Sequence, residues 1–312
     1  MLSERKIATV FGASGFLGRY VVQRLAARGY TVRAAVRDTE AAKIVRPVGV
    51  AGQIVALYAP VSQEALAARA IEGADTVINL AGILVESQKG DFYRTHTDGA
   101  GRVARLAHAA GARLVHVSAI GANPASPSIY ARSKGEGEQA VKSVHPRAAI
   151  LRPSVIFGAE DEFFNRFAKM AALFPVLPIV YGETKFQPVY VANVADAVLA
   201  ALGPLGAGKL FELGGPQQQS FKALIQHMLA IIERKSHIWD MPIGLARLLA
   251  MIPGSGLTAD QITLLALDNV VTPGLPGLLE LGIAPTPMDL VLPLYLARYR
   301  VGGRRHNDVF NE

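Results

Sequence analysis

Short β-branched runs alternate with segments of helical period through the first half of the chain. A glycine-rich loop follows the first of those runs, and the regularity fades after Gly158. Together these features predict an α/β fold: a doubly wound parallel sheet over residues 1–158, followed by a smaller C-terminal α/β lobe over residues 159–312, partly threaded back into the sheet. The elements come in order: strand KIATVF, helix FLGRYVVQRLAARG, strand TVRAAV, strand QIVALY, a helix near Gln63 to Ile71, strand DTVINLAG, a helix near His96 to Ala110, strand RLVHVSA, a helix from Tyr130 to Val144, and strand AAILRPSVIFG. Repeated β-α units with right-handed crossovers make a parallel sheet. Beyond Gly158, helices are expected near Phe163 to Leu173, Asn193 to Leu202 and Phe221 to Glu233, with short strands at Pro188 to Val191 and Lys209 to Leu213.

Composition narrows the classes. The chain has 312 residues, 51% hydrophobic and 18% charged, enough for a sizeable core and far from a disordered or coiled-coil balance. Cysteine is absent, which removes disulfides, thiolate metal sites and cysteine nucleophiles. None of the seven histidines forms an H-x-x-x-H or H-E-x-x-H pair. The opening MLSERKIATVFG has no apolar signal core, and the greasiest stretches, such as AALFPVLPIVY from Ala171, are broken by prolines. The expectation is therefore a cytoplasmic protein with no transmembrane span. The net charge of +7 is uneven, with +9 up to Val155 and −2 after it. The arginines of the basic half are scattered without interleaved aromatics, which points to a phosphate-bearing small molecule and not to nucleic acid.

Directly after the first strand, Gly12-Ala-Ser-Gly15-Phe-Leu-Gly18 opens a helix. Glycines here permit a tight turn, close approach of backbone to a pyrophosphate, and close packing of helix on strand. That context marks a dinucleotide site in a Rossmann sheet, against the alternative of a merely structural turn. Binders of unphosphorylated NAD place an acid at the end of the second strand for the ribose 2′-hydroxyl. Here Arg37 stands in that place, with Arg33 and Lys43 near it and Asp38 one step later as a cap for the next helix, so NADP(H) is preferred over NAD(H). The third strand ends Leu57-Tyr58-Ala59-Pro60, without an acid for the adenine. Asn79-Leu-Ala81-Gly82 ends the fourth with small residues that let the backbone run beside a cofactor.

Ser118 ends the strand LVHVSA, and Tyr130-Ala-Arg-Ser-Lys134 opens a helix. A spacing of four puts Tyr130 and Lys134 on one helix face. There an ammonium can stabilise a phenolate, the tyrosine can donate a proton to a carbonyl held by Ser118, and the cofactor can deliver hydride.

The ordered set GASGFLG, NLAG, VHVSAIGA, YARSK and RPSVIFG, over about residues 6 to 215, resembles the extended or atypical short-chain dehydrogenase/reductases. Within them, RPSVIFGAEDEFFNRF, KFQPVYVANVADAV, FELGGP and LGIAPTP are most similar to the nucleotide-binding accessory subunit family of respiratory complex I. The resemblance implies a protein that holds NADPH as a structural cofactor on the matrix or cytoplasmic side of complex I, peripheral to the inner, energy-coupling membrane. It assigns Gly12, Gly15 and Gly18 to the pyrophosphate, Arg37 to the 2′-phosphate, Ala81 to the cofactor wall and Lys134 to the ribose. The full expected cofactor set adds Ser14, Phe16, Leu17, Gly82, Tyr130, Pro153, Ser154 and Val155. Two departures stand out. His96 occupies the place of an asparagine in the proton relay of active reductases, and Ala192-Asn193 replaces an acid pair, with Asn193 left as an N-cap for the following helix.

In the second half, Ile238 to Ile252 reads as a core helix or as an apolar face for a partner or membrane. The tail has Arg298, Arg300, Arg304 and Arg305 before the next acid, Asp308. It suits an anionic membrane surface or an acidic subunit, or else a solvated terminus. Two functions follow: a structural NADP(H)-binding subunit of complex I, or a free-standing NADPH-dependent reductase or epimerase of a small carbonyl, sugar or quinone-like substrate. A cofactor-sensing regulator is a third.

Overall fold

The computed structural model describes residues 6–40, 49–252 and 256–302; Lys43, Arg304, Arg305 and Asp308 lie outside them. The first half runs β1 (Ile7–Phe11), α1 (Phe16–Ala27), β2 (Thr31–Val36), β3 (Ile54–Tyr58), α2 (Glu64–Ile71), β4 (Thr76–Asn79), α3 (Gly99–Ala109), β5 (Arg113–Val117), α4 (Ile129–Val144) and β6 (Ala149–Pro153). Next come β7 (Ile156–Phe157), α5 (Phe163–Leu173), β8 (Val176–Ile179), β9 (Lys185–Phe186), β10 (Val189–Tyr190), α6 (Val191–Ala201) and β11 (Leu210–Leu213). Last are β12 (Gln219–Ser220), α7 (Phe221–Ile231), β13 (His237–Asp240), α8 (Ile243–Ala250), α9 (Ala259–Leu265) and α10 (Met288–Leu296).

A seven-stranded sheet has the order β11-β6-β5-β4-β1-β2-β3, with every neighbour parallel. The expected doubly wound sheet is therefore present. Its order reverses between β1 and β4, so the carboxyl ends of those strands open the crevice where such sheets hold ligands. The chain divides into two compact units: residues 1–153, 191–213 and 271–284 form the first, and 154–190, 214–270 and the chain from 285 form the second.

In the first unit one sheet face, with Phe11, Ala35, Val77, Leu114 and Ile150, packs against Ala67, Ala70, Ile71, Ala100, Val103, Ala104, Ala107 and Val141 of α2, α3 and α4. The alanines let the helices sit close, and each fully buried valine, leucine or isoleucine contributes roughly 1.5–3 kcal/mol. Before α3 the chain winds as a π-helix, Tyr93–Asp98, which packs on α4. That packing needs glycine at 137, where a Cβ would sit 2.0 Å from the His96 carbonyl oxygen; a separate approach, of the Asn123–Pro124 backbone, needs it at 135, where a Cβ would sit 2.5 Å from the Pro124 nitrogen. On α4, Arg152 of β6 makes a bidentate pair with Glu138 (both 2.8 Å) and reaches Glu212 of β11 at 3.2 Å. Glu212 also accepts from the Thr272 amide at 2.7 Å, which ties residues 271–284 to the sheet.

The second unit is built around Phe157, Phe164, Phe186 and Phe221, with α7 and α10 supplying Leu224, Ile225, Met228, Val291 and Leu292. Its organising polar group is the buried Asp161. One carboxylate oxygen accepts from the amides of Phe164 (2.7 Å) and Asn165 (3.3 Å) at the start of α5, and the other from the Gly158 amide (3.1 Å) and the Tyr295 hydroxyl. Burial pushes this carboxyl above the usual range, and those hydrogen bonds oppose the shift.

Three expectations are corrected. Asn193 is not an N-cap, because α6 already begins at Val191; its side-chain amide instead donates to the Ala284 carbonyl at 3.4 Å. Ile238 to Ile252 is not a core helix. It splits into β13 and α8, and on α8 only Ala246 is buried, with Leu248 60% and Met251 79% exposed nearby. Arg298 and Arg300 are folded onto the unit, the first donating to Asn165 Oδ1 and the second to the Ile231 carbonyl, so that stretch of the tail is not frayed.

Arg152 is the countercharge for two carboxylates that are each almost wholly buried. Arg152→Met leaves both unpaired and is expected to cost about 3–5 kcal/mol, read as a lower urea midpoint with unchanged slope. A loss below about 1 kcal/mol contradicts this role.

Candidate functional site

The glycine loop turns at Gly12, whose φ of +76° suits glycine. Its amide donates to the Ala35 carbonyl at 3.1 Å, and a Cβ there would stand 3.0 Å from the Leu80 backbone. At Gly18 a Cβ would lie 2.2 Å from the Gly12 carbonyl oxygen, so helix and loop are in backbone contact. Gly15 differs: it is exposed, its φ of −70° is open to any residue, and a Cβ would meet only the Gly12 oxygen, at 3.2 Å. The fold makes a modest demand for glycine there, whereas a ligand drawn up to the loop makes a strong one.

Gly15 is the N-cap of α1, with no side-chain cap and no acid in the first turn. The first-turn amides of Phe16, Leu17 and Gly18 are the donors that a helix leaves without intrahelical partners. Leu17 and Gly18 are buried, while Ser14 and Phe16 are half-buried, the Phe16 ring lying edge-on to Tyr20. Unpaired amides at a helix start are donors of the kind that can take an anion. Arg37 is exposed at the carboxyl end of β2. Arg33 does not join it, because its guanidinium donates to the Ala70 and Glu72 carbonyls at 3.0 and 2.5 Å. Asp38 makes a local turn, accepting from the Glu40 amide at 2.8 Å.

At the end of β4, Asn79 Oδ1 accepts from the Ala81 amide at 3.1 Å, so its Nδ2 must donate to His116 Nδ1 at 3.2 Å. His116 therefore carries its proton on Nε2, a buried atom with no partner among the described residues; Ser118 Oγ is another. Gly82 runs beside Lys134, and a Cβ there would be 3.3 Å from Nζ. The buried Lys134 donates to the Val117 carbonyl at 3.4 Å. Burial brings its pKa down to about 8, partly opposed by the carboxylate of Glu138.

Tyr130 follows the Ser128 N-cap of α4, and its ring stands edge-on to His96 and Phe92 at 5.4 and 5.7 Å. Burial raises its phenol to about 12. His96 is a strut. Its Nε2 accepts from the Ile83 amide at 3.1 Å, so Nδ1 carries the proton and donates to Ser133 Oγ at 3.0 Å, which in turn donates to the Tyr130 carbonyl. Burial first, then the charge of Lys134, hold His96 neutral with a pKa of about 2; the same causes bring His116 to about 3. Sequence reasoning marked His96 as a departure but missed this bonding, as it missed His116, whose signal was only its place two residues before Ser118.

Of the remaining expected residues, Pro153 ends β6 in the first unit, where its carbonyl accepts from Ile120 at 3.0 Å. Ser154 and Val155 fall in the second unit. There the Ser154 hydroxyl is shared between Asn269 Oδ1 (2.7 Å) and the Asn269 carbonyl (2.9 Å), and the Val155 amide donates to the same Oδ1 at 3.2 Å. Among the described residues no cluster of three metal-ligating side chains exists, and no helix is long and apolar enough to cross a membrane.

Residues 8–214 match the model of the NAD dependent epimerase/dehydratase family. The chain belongs to that family. NADH dehydrogenase (ubiquinone) 1 alpha subcomplex subunit 9, mitochondrial, of Mus musculus is 34% identical over 94% of this chain and 80% of its own length. The protein of the same name in Arabidopsis thaliana is 32% identical over 98% and 81%. Among solved structures, a dTDP-glucose 4,6-dehydratase of Streptomyces venezuelae with NAD bound superposes with a TM-score of 0.73 at 19% identity, covering 94% of this chain and 96% of that one.

The free protein has Lys134 charged at neutral pH and increasingly neutral above about 8. An anionic nucleotide favours the ammonium, so binding takes up a proton on the alkaline side. Affinity for NADPH is expected to fall above pH 8 with a slope approaching roughly tenfold per pH unit, and Lys134→Met should flatten it. A wild-type affinity level from pH 7 to pH 9.5 contradicts the assignment.

Proposed function

We propose that this chain is a nucleotide-binding accessory subunit of respiratory complex I that holds NADP(H) as a structural cofactor, peripheral to the energy-coupling membrane on its cytoplasmic side. The observation that carries the reading is similarity along nearly the whole chain to subunits of NADH dehydrogenase (ubiquinone), at 32–34% identity. The cradle of Gly12, Ser14, Gly15, Phe16, Leu17 and Gly18 takes the pyrophosphate, Arg37 the 2′-phosphate, Ala81 and Gly82 the cofactor wall, and Lys134 the ribose. Pro153 completes the set proposed for this unit.

Chemistry in the site is held back by the chain's own groups. A bound nicotinamide supplies hydride, but a proton donor works best with a pKa near the working pH. Tyr130 stands near 12, and neither nitrogen of His96 is free to pass a proton. Bound cofactor stabilises by mass action, about 2.7 kcal/mol at one hundred times its dissociation constant, which is a sufficient role without turnover. One observation favours the second reading, a free-standing NADPH-dependent reductase: Ser118 Oγ is buried and unpartnered, while Tyr130 and Lys134 share a face of α4.

Deleting the gene is expected to impair assembly or stability of complex I, Gly15→Asp to mimic the deletion, and Tyr130→Phe to leave the complex intact. In the isolated protein Arg37→Ala should weaken NADPH selectively and leave NADH unchanged. Normal complex I in the deletion strain, together with a metabolite defect that follows Tyr130→Phe, hands the case to the reductase.

A further inference from the structure

The carboxyl ends of β1, β2 and β3 form one rim at an edge of the sheet, neighbours being about 4.8 Å apart. The Gly12 amide donates to Ala35, and the Ala59 amide to Val36 at 3.0 Å, so the glycine loop, Arg37 and residues 57–61 follow each other along that rim. With a pyrophosphate on the start of α1 and a 2′-phosphate at Arg37, the purine on the same ribose lies outward, at the end of β3. The residues there are Leu57, Tyr58, Ala59, Pro60 and Val61, with no carboxylate or amide among them.

Two acids close in sequence to this rim have partners of their own. Asp38 Oδ1 accepts from the Glu40 amide, and Glu64 pairs with Arg105 at 2.8 Å. Ala59, Pro60 and Val61 are buried, but Tyr58 is 50% exposed. It stands opposite Val36 in the β2–β3 register, one residue from Arg37, and its hydroxyl accepts from Gln63 Nε2 at 3.4 Å. A half-exposed aromatic at the end of the strand next to the one that leads into Arg37 is a stacking platform on that rim. Stacking is indifferent to the groups on the rim of the base, whereas a carboxylate would accept from the 6-amino group of adenine.

We propose that Tyr58 is the platform for the purine, and that this chain recognises the 2′-phosphate and the stacked ring but not the 6-amino group. It then takes the hypoxanthine form of the dinucleotide as readily as the adenine form. This rests on the NADP(H) reading above.

The test is calorimetric titration of NADPH and of its hypoxanthine analogue into wild type, Tyr58→Phe, Tyr58→Ala and Tyr58→Asp, with thermal melts to establish that each variant is folded. Wild type and Tyr58→Phe should bind the two nucleotides equally, and Tyr58→Ala should lose about tenfold or more for both. Tyr58→Asp should restore a preference for adenine. Should Tyr58→Ala not fold, Tyr58→Leu and the wild-type comparison of the two bases carry the test. Wild type that binds NADPH yet rejects the hypoxanthine form, or a folded Tyr58→Ala or Tyr58→Leu with undiminished affinity, overturns the inference alone. Folded wild type that binds neither nucleotide overturns the NADP(H) reading and this inference together.

Discussion

The first unit depends on one constraint: backbone must lie on backbone where β1 gives way to α1. At Gly12 the turn runs against Leu80 and Ala81 of the β4 end, and at Gly18 the helix rests on the Gly12 carbonyl. No side chain fits at Gly18, so the helix start is fixed relative to both central strands. Everything that follows is placed by that contact. The first turn of α1, Arg37 and Tyr58 follow one another along the adjoining strand ends, and residues 79–83 pass close enough to Lys134 that a Cβ at Gly82 would stand 3.3 Å from Nζ.

A second constraint acts at the end of β5 and the start of α4. Three basic side chains, His96, His116 and Lys134, are buried together, and only one carries charge at neutral pH. The histidines avoid a second positive charge by staying neutral, each with its tautomer set by a neighbour: the Ile83 amide for His96 and the Asn79 amide group for His116. Both His96 nitrogens serve to fasten the 79–83 loop to α4, and Tyr130 keeps its proton far above neutrality. One turn further along α4, Glu138 answers Lys134 electrostatically while its own countercharge, Arg152, fastens the helix to the sheet.

Much of this was legible in the sequence because it is periodic or local. Glycine spacing after a strand, a tyrosine and lysine four apart, and alternating β and α patterns each follow from backbone geometry. What escaped was non-local. Gly135 and Gly137 carry a helix penalty of about 1 kcal/mol each, explained by the Asn123–Pro124 backbone lying against the first and the π-helical turn at His96 lying against the second. The bond from the Ser154 hydroxyl to Asn269, far along the chain, had no local signal. The Ile238 to Ile252 stretch read as a core helix or as an apolar face; Pro242 at the N-cap of α8 divides strand from helix, and Leu248 and Met251 are exposed, so it is not the core helix.

If the loop from Gly12 to Gly18 holds an NADP(H) molecule as part of the working protein, native mass spectrometry of the purified chain will show it. The expected spectrum has one NADP(H) per chain, retained through buffer exchange and absent from a folded Gly15→Asp variant. A wild-type chain that remains at its bare mass after incubation with saturating NADPH contradicts it.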